Sequence, residues 1–220
     1  MDLIIVLLII ALPLLAEIYI KIIYKKSANK SVMNKMTGYD IARKILDKNS
    51  LNDLIIVETK GTLTDHYDPT RKVIRLSSGI YKESTIASNA VAAHEVGHAL
   101  QDKEGYTFLK IRSIIFPIVS FLSRISYVVI FLGFLFEIMN LVYLGIIAVG
   151  AGVLFQVVTL PVEINASKRA VKELNELGII SEEEKKDIKN MLTAAALTYV
   201  ASTLAELLQL IRLIGIARDN

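Results

Sequence analysis

Apolar positions gather into three long blocks, and the stretches between them are polar and periodic. Residues 3–15 carry no charged side chain, and the apolar character runs past Glu17 to Tyr24. A helix needs about 20 apolar residues to span a bilayer, so this block predicts a transmembrane anchor over residues 1–24, with Glu17 facing protein or the interface. A cleaved secretory signal carries Lys or Arg ahead of its apolar run and small residues at its exit. Here Met1-Asp2 precede the run, and Lys21, Lys25, Lys26 and Lys30 follow it. That is the pattern of an uncleaved anchor with its N-terminus outside.

The second block predicts a transmembrane hairpin over residues 113–162. Residues 141–161 contain no charge, Arg124 is the one charge in residues 114–136, and the turn falls at 137–140. An arginine so placed faces a bundle interior or snorkels to the interface. The third block, residues 193–213, carries Glu206, Gln209 and Arg212 toward its end. It predicts an apolar membrane helix within residues 191–220.

The intervening residues 25–112 predict a small lobe. Ile41, Ile45 and Leu46 recur at helical spacing over residues 40–46. Residues 54–57 and 73–76 are rich in β-branched side chains and read as strands, with Asp68-Pro69-Thr70-Arg71 as a turn. Ser84 is placed to cap a helix that runs to about Asp102, where Gly105 stops it. Glu182-Glu183-Glu184-Lys185-Lys186 reads as the solvated start of a helix.

Composition sharpens this division. The chain is 53% apolar against the roughly 45–50% of an average chain, and the excess sits in the three blocks, which points to a membrane and not to a larger core. The absence of cysteine excludes disulfides, thiolate metal sites and a cysteine nucleophile. A net charge of +3, with no basic patch interleaved with aromatics, excludes a nucleic-acid partner. Apart from Arg124, Arg212 and Arg218, every Lys and Arg lies in residues 21–112 or 168–189, and the tips at 1–2 and 137–140 carry none. The positive-inside tendency therefore puts the lobe and residues 163–190 on the cytoplasmic side of the cell membrane.

Residues 94–98 read His-Glu-Val-Gly-His. On a helix, positions i and i+4 share a face one turn apart, so His94 and His98 can grip one ion while Glu95 takes a proton from the attacking water. Zinc accepts such donors and keeps a position open. Ala92, Ala93, Gly97 and Ala99 would let this helix lie close to a neighbour. The bland alternative is a helix with two surface histidines. A catalytic zinc site needs a third protein ligand, and the choices are His66 or a carboxylate. Glu163 is the best carboxylate, because the hairpin crosses the bilayer twice and returns it to the side of His94. Pro161 suits the start of a helix, which would put Glu163 in the first turn, where the dipole favours an anion. A plain juxtamembrane acid explains Glu163 equally well.

Residues 63–69 (Leu-Thr-Asp-His-Tyr-Asp-Pro), 75–77 (Arg-Leu-Ser), 92–99, 159–163 (Thr-Leu-Pro-Val-Glu), Ala166-Ser167 and residues 195–201 together resemble the YugP-type family of bacterial membrane zinc metallopeptidases. The match runs through nearly the whole chain in order. More distantly, the layout is similar to gluzincins of the HtpX and CAAX-prenyl-protease type. The resemblance implies a zincin-like lobe, a Zn2+ cofactor and a third zinc ligand at Glu163. Those distant relatives commonly carry Glu-x-x-Ala-Asp, whose Asp supports a zinc-binding histidine. Ser167 stands at that position here, so the support must be weaker or come from elsewhere, with Asn165, Asp65 and Asp68 as the substitutes.

His66 and Tyr199 are the remaining candidates for a catalytic role, as donors to the developing oxyanion. A carboxylate-flanked turn accounts for His66 without catalysis, and interfacial packing does so for Tyr199. Residues 73–77 are either an inner strand or an edge open to an extended substrate. The expected protein is thus mainly α, a multi-pass membrane protein of three to four transmembrane helices with a small α+β lobe. Its parts are 1–24, 25–112, 113–162, 163–190 and 191–220. The expected activity is zinc-dependent endopeptidase action on a protein or peptide substrate at the bilayer. The alternative is a membrane scaffold or chaperone-partner subunit with a structural zinc. A site-2-type intramembrane protease fits poorly, because residues 83–104 hold Glu83, Asn89, Gln101, Asp102 and Lys103 and are too polar for a spanning helix.

Overall fold

A computed structural model describes residues 2–218. In chain order the elements are α1 (Asp2–Ala28), α2 (Gly38–Lys48), β1 (Ile55–Thr59), β2 (His66–Asp68), β3 (Val73–Ser77), α3 (Ser78–Lys82), α4 (Ile86–Lys103), α5 (Thr107–Leu135), α6 (Met139–Glu176) and α7 (Glu182–Arg218). The protein is mainly helical with one small sheet. Four helices, α1, α5, α6 and α7, are long and apolar enough to cross a membrane. The chain divides into two compact units. One comprises residues 1–18, 107–161 and 197–220, and the other residues 19–106 and 162–196.

The second unit, the lobe, is built around a single apolar core. Ile41, Ile45 and Leu46 of α2, Ile74 and Leu76 of β3, Val96 of α4, Leu174 of α6 and Ile188 of α7 are all buried in it. The period-3.6 pattern that predicts α2 is what buries these side chains. Thr37 caps α2 in a reciprocal box with Asp40, so the helix begins at Gly38, earlier than the apolar spacing alone indicates. β3 lies in the middle of the sheet. It pairs in parallel with β1 (Ile56 opposite Ile74) and antiparallel with β2 (Tyr67 opposite Ile74). Residues 73–77 are therefore an inner strand, and the edge reading fails because both of its hydrogen-bonding sides are taken. The exposed edges belong to β1 and to the three-residue β2.

The N-cap of α4 is Thr85, not Ser84. The Thr85 hydroxyl accepts from the Ser88 amide at 3.1 Å, while the Ser84 hydroxyl donates to the Lys35 carbonyl. At the far end Gly105 adopts φ +66°, a conformation that stops a helix cheaply only at glycine.

In the first unit, α5 and α6 form a hairpin through a short turn in which Glu137 has φ +59°. Ile130, Val142, Ile146, Val149 and Leu213 form its buried cluster. Most other large apolar side chains here stay exposed, among them Ile114, Phe131, Ile147 and Leu154. Such a surface suits lipid and not water.

α6 runs without a break through Pro161. The expected helix start there does not occur. Proline removes one backbone donor, a loss that membrane helices tolerate. Glu163 consequently sits in mid-helix, and no helix N-terminus stabilises its charge.

Candidate metal centre

Two helices of the lobe build the centre: α4 presents His94, Glu95, His98 and Gln101, and α6 presents Glu163, Asn165 and Ser167. The helices meet at a contact that only glycine permits. A Cβ on Gly97 would lie 2.5 Å from the Ala166 carbonyl oxygen and 3.2 Å from the Ala166 Cα. With no side chain at 97, the backbones approach closely enough for short imidazole and carboxylate side chains to converge.

Glu163 Oε2 lies 3.3 Å from His94 Nε2 and 3.5 Å from His98 Nε2, although Glu163 is 69 residues from His94 in the chain. All three ligand atoms fall within 4.8 Å of one another. Zinc–nitrogen and zinc–oxygen bonds of roughly 2.0–2.1 Å place neighbouring corners of a tetrahedron about 3.3–3.4 Å apart. The two measured separations match that edge. The two rings are mutually perpendicular, at 87° with centroids 4.7 Å apart, so both can aim a nitrogen lone pair at one point. Two imidazoles and one carboxylate also form the donor set of a catalytic zinc with an open position. The residues fit the ion.

Each imidazole is held through its other nitrogen. The Ser167 hydroxyl lies 3.2 Å from His94 Nδ1. Gln101 Oε1 accepts from His98 Nδ1 at 3.0 Å, and the Gln101 amide nitrogen donates to the Val162 carbonyl at 2.8 Å and to Asn165 Oδ1 at 2.9 Å. Asn165 Oδ1 also accepts from Arg169 Nε, and the Arg169 guanidinium forms a bidentate pair with Glu104. This chain runs from α4 to α6 and back. Such outer partners fix ring orientation and tautomer.

Ser167 thus supplies the support for His94, without a charge. Of the suggested substitutes, Asn165 acts one step back, through Gln101 on His98. Asp65 and Asp68 are engaged elsewhere: Asp65 accepts from the Ser77 amide and hydroxyl, and Asp68 from the Thr70 and Arg71 amides. Sequence reading missed Gln101. Its signal was present, since a side chain three residues beyond His98 shares its helical face.

Glu95 lies beside the pair and is buried, at 7% exposure. Burial pushes its pKa above the usual carboxylate range, and the two imidazoles offset this only in part. For His98, burial alone would lower the pKa, but the hydrogen bond and charge of Glu163 outweigh it and raise it. The three metal-ligating groups that converge among the described residues do not include His66. His66 is exposed on β2, and its Nδ1 donates to the Thr64 carbonyl at 2.8 Å. Tyr199 lies on α7, half-buried, and belongs to the membrane-helix unit.

Comparison with known proteins shows the family. A family model described as "Putative neutral zinc metallopeptidase" matches residues 2–218. The chain belongs to this zinc metallopeptidase family. It is also 44% identical over 201 residues to the "Putative membrane protease YugP" of Bacillus subtilis strain 168, covering 91% of this chain and 89% of that protein. No solved structure matches the chain. A family match over nearly the full length, taken with four apolar helices, makes this a membrane protein of a zinc peptidase family.

Proposed function

We propose that the protein is a zinc-dependent endopeptidase that cleaves proteins at the cytoplasmic face of the membrane. The observation that carries this reading is the meeting of His94, His98 and Glu163 at tetrahedral-edge distances, with Glu95 adjacent. His94, His98 and Glu163 would hold the ion, with two imidazole nitrogens and a carboxylate oxygen as donors. Zinc, when bound, supplies Lewis acidity toward the substrate carbonyl and the attacking water.

The chain's own groups do the rest. Glu95 accepts the proton of the attacking water and passes it to the leaving amine. Ser167 and Gln101 keep both rings in place during that exchange. His66 and Tyr199 are assigned as further donors to the oxyanion. In neutral His66 the proton engaged by Thr64 sits on Nδ1, so Nε2 can donate only as the imidazolium.

Sidedness rests on charge. The lysines and arginines concentrate in residues 21–112 and 168–189, which favours a cytoplasmic lobe. The absence of native cysteine allows a direct check. A single cysteine at Lys60 should be shielded from an impermeant thiol reagent in intact cells, and one at Ile138 should be labelled. The reverse pattern refutes the orientation.

The decisive test of activity is Glu95→Gln in the detergent-solubilised full chain. Hydrolysis of an unstructured protein substrate should fall on the order of 10²–10⁴-fold, the range of a lost general base, while zinc content stays at the wild-type level. Unchanged hydrolysis would remove Glu95 from the reaction and favour a structural zinc.

A further inference from the structure

Outside the metal centre, the lobe carries a second built feature between α6 and α7. It is a groove of about 640 Å³, within the size range of ligand sites. Its floor is apolar, with Ile164 and Val171 from α6 and Leu192 from α7. Four lysines rim it, Lys168 and Lys172 on α6, Lys185 and Lys189 on α7, and no Asp or Glu lines it. On each helix the two lysines stand one turn apart, on one face. Lys172 and Lys185 make surface ion pairs with Glu176 and Glu182. Among the described residues, Lys168 and Lys189 have no acidic partner.

We propose that this groove binds an anionic phospholipid of the surrounding bilayer, with the phosphodiester on the lysines and an acyl chain along the floor. Two observations select this occupant. The first is complementarity: a cationic rim above an apolar floor matches an amphiphile with an anionic head, whereas a free phosphate would leave the floor uncovered. The second is position along the helices. Lys168 lies seven residues beyond Pro161, the end of an uncharged run of α6, or ~10 Å of helix. Lys189 lies four residues before Thr193, where the apolar stretch of α7 begins, or ~6 Å. Those offsets suit headgroup depth, and basic pockets between membrane helices are known to take anionic headgroups. Ser167 also lines the groove, and its hydroxyl is 3.2 Å from His94 Nδ1. A bound lipid would therefore reach the residue that orients a proposed zinc ligand.

The test uses the full chain in micelles, titrated with phosphatidylglycerol or with phosphatidylcholine of identical chains, bound lipid being counted by native mass spectrometry. One phosphatidylglycerol should bind well ahead of phosphatidylcholine. Lys168→Gln with Lys189→Gln should weaken it roughly thirtyfold, at about tenfold per 1.4 kcal/mol and about 1 kcal/mol per lysine. Lys44→Gln, on exposed α2, should change nothing. Equal binding of the two lipids overturns the proposal, as does a double variant no weaker than Lys44→Gln. Displacement of phosphatidylglycerol by an acidic amphipathic peptide at lower concentration than the lipid itself would assign the groove to polypeptide and likewise overturn it.

Discussion

The two units hold their helices together by different means. In the lobe, α4 and α6 meet backbone to backbone at Gly97 and Ala166, and polar side chains stitch the contact in a continuous chain, Ser167 to His94 and His98 to Gln101 to Asn165 to Arg169. In the membrane-helix unit, the packing is apolar and sparser in hydrogen bonds: the Ile130, Val142 and Ile146 cluster supplies most of it, and Gln156 to Glu206 at 3.2 Å is a rare polar link. Glycine brings helices close there too, since a Cβ on Gly133 would lie 2.7 Å from the Val142 amide nitrogen and one on Gly145 2.9 Å from the Ser126 carbonyl oxygen, whereas one on Gly150 would meet only Leu210 Cδ2 at 3.9 Å; what this unit lacks is the polar stitching. The contrast teaches where precision is needed. Metal chemistry tolerates errors of a fraction of an ångström, so the unit carrying the donors fixes them with directional bonds. A helix bundle in lipid needs only complementary shape.

Gly97→Ala should have the largest effect on the lobe. Its methyl must displace the Ala166 carbonyl, and overpacking of this kind costs about 1–3 kcal/mol or more. Thermal unfolding in detergent should drop by several degrees, with zinc lost alongside. A variant as stable as wild type would mean that the helices are not in that contact.

Gln101→Leu comes next. It removes the His98 partner and the amide donor that ties α4 to Val162 and Asn165 of α6, so zinc affinity, read by chelator competition, should fall about 10–100-fold. Ser167→Ala should give a smaller loss within the same range, because the hydroxyl bond to His94 is neutral and single. If Ser167→Ala costs more than Gln101→Leu, the ranking of the two supports is wrong. Gly150→Ala in the membrane-helix unit should do least, within about 0.5 kcal/mol of wild type. A large loss there would show that this bundle is as tightly specified as the lobe.

Much of this was readable before any coordinates. His94 and His98 share a face because helical periodicity leaves no other choice at i and i+4. Glu163 could be expected near them because two apolar segments of spanning length, an even number, separate it from them. The membrane helices follow from uncharged runs alone. What was not readable depended on tertiary context. β3 became the central strand because three-residue β2 pairs beside it, and so short a strand leaves no periodic trace. The passage of α6 through Pro161 was hidden because a single missing donor is cheap in a long helix. The role of Gln101 was obscured because a glutamine in a polar helix reads as solvated until its burial is known.

The central claim is that His94, His98 and Glu163 hold one ion together, and zinc content measures it directly. Purified wild-type protein should carry one zinc per chain by elemental analysis, and Glu163→Ala should bind it at least tenfold more weakly while keeping its helical circular dichroism. Zinc retained by Glu163→Ala at wild-type stoichiometry and affinity would contradict the account.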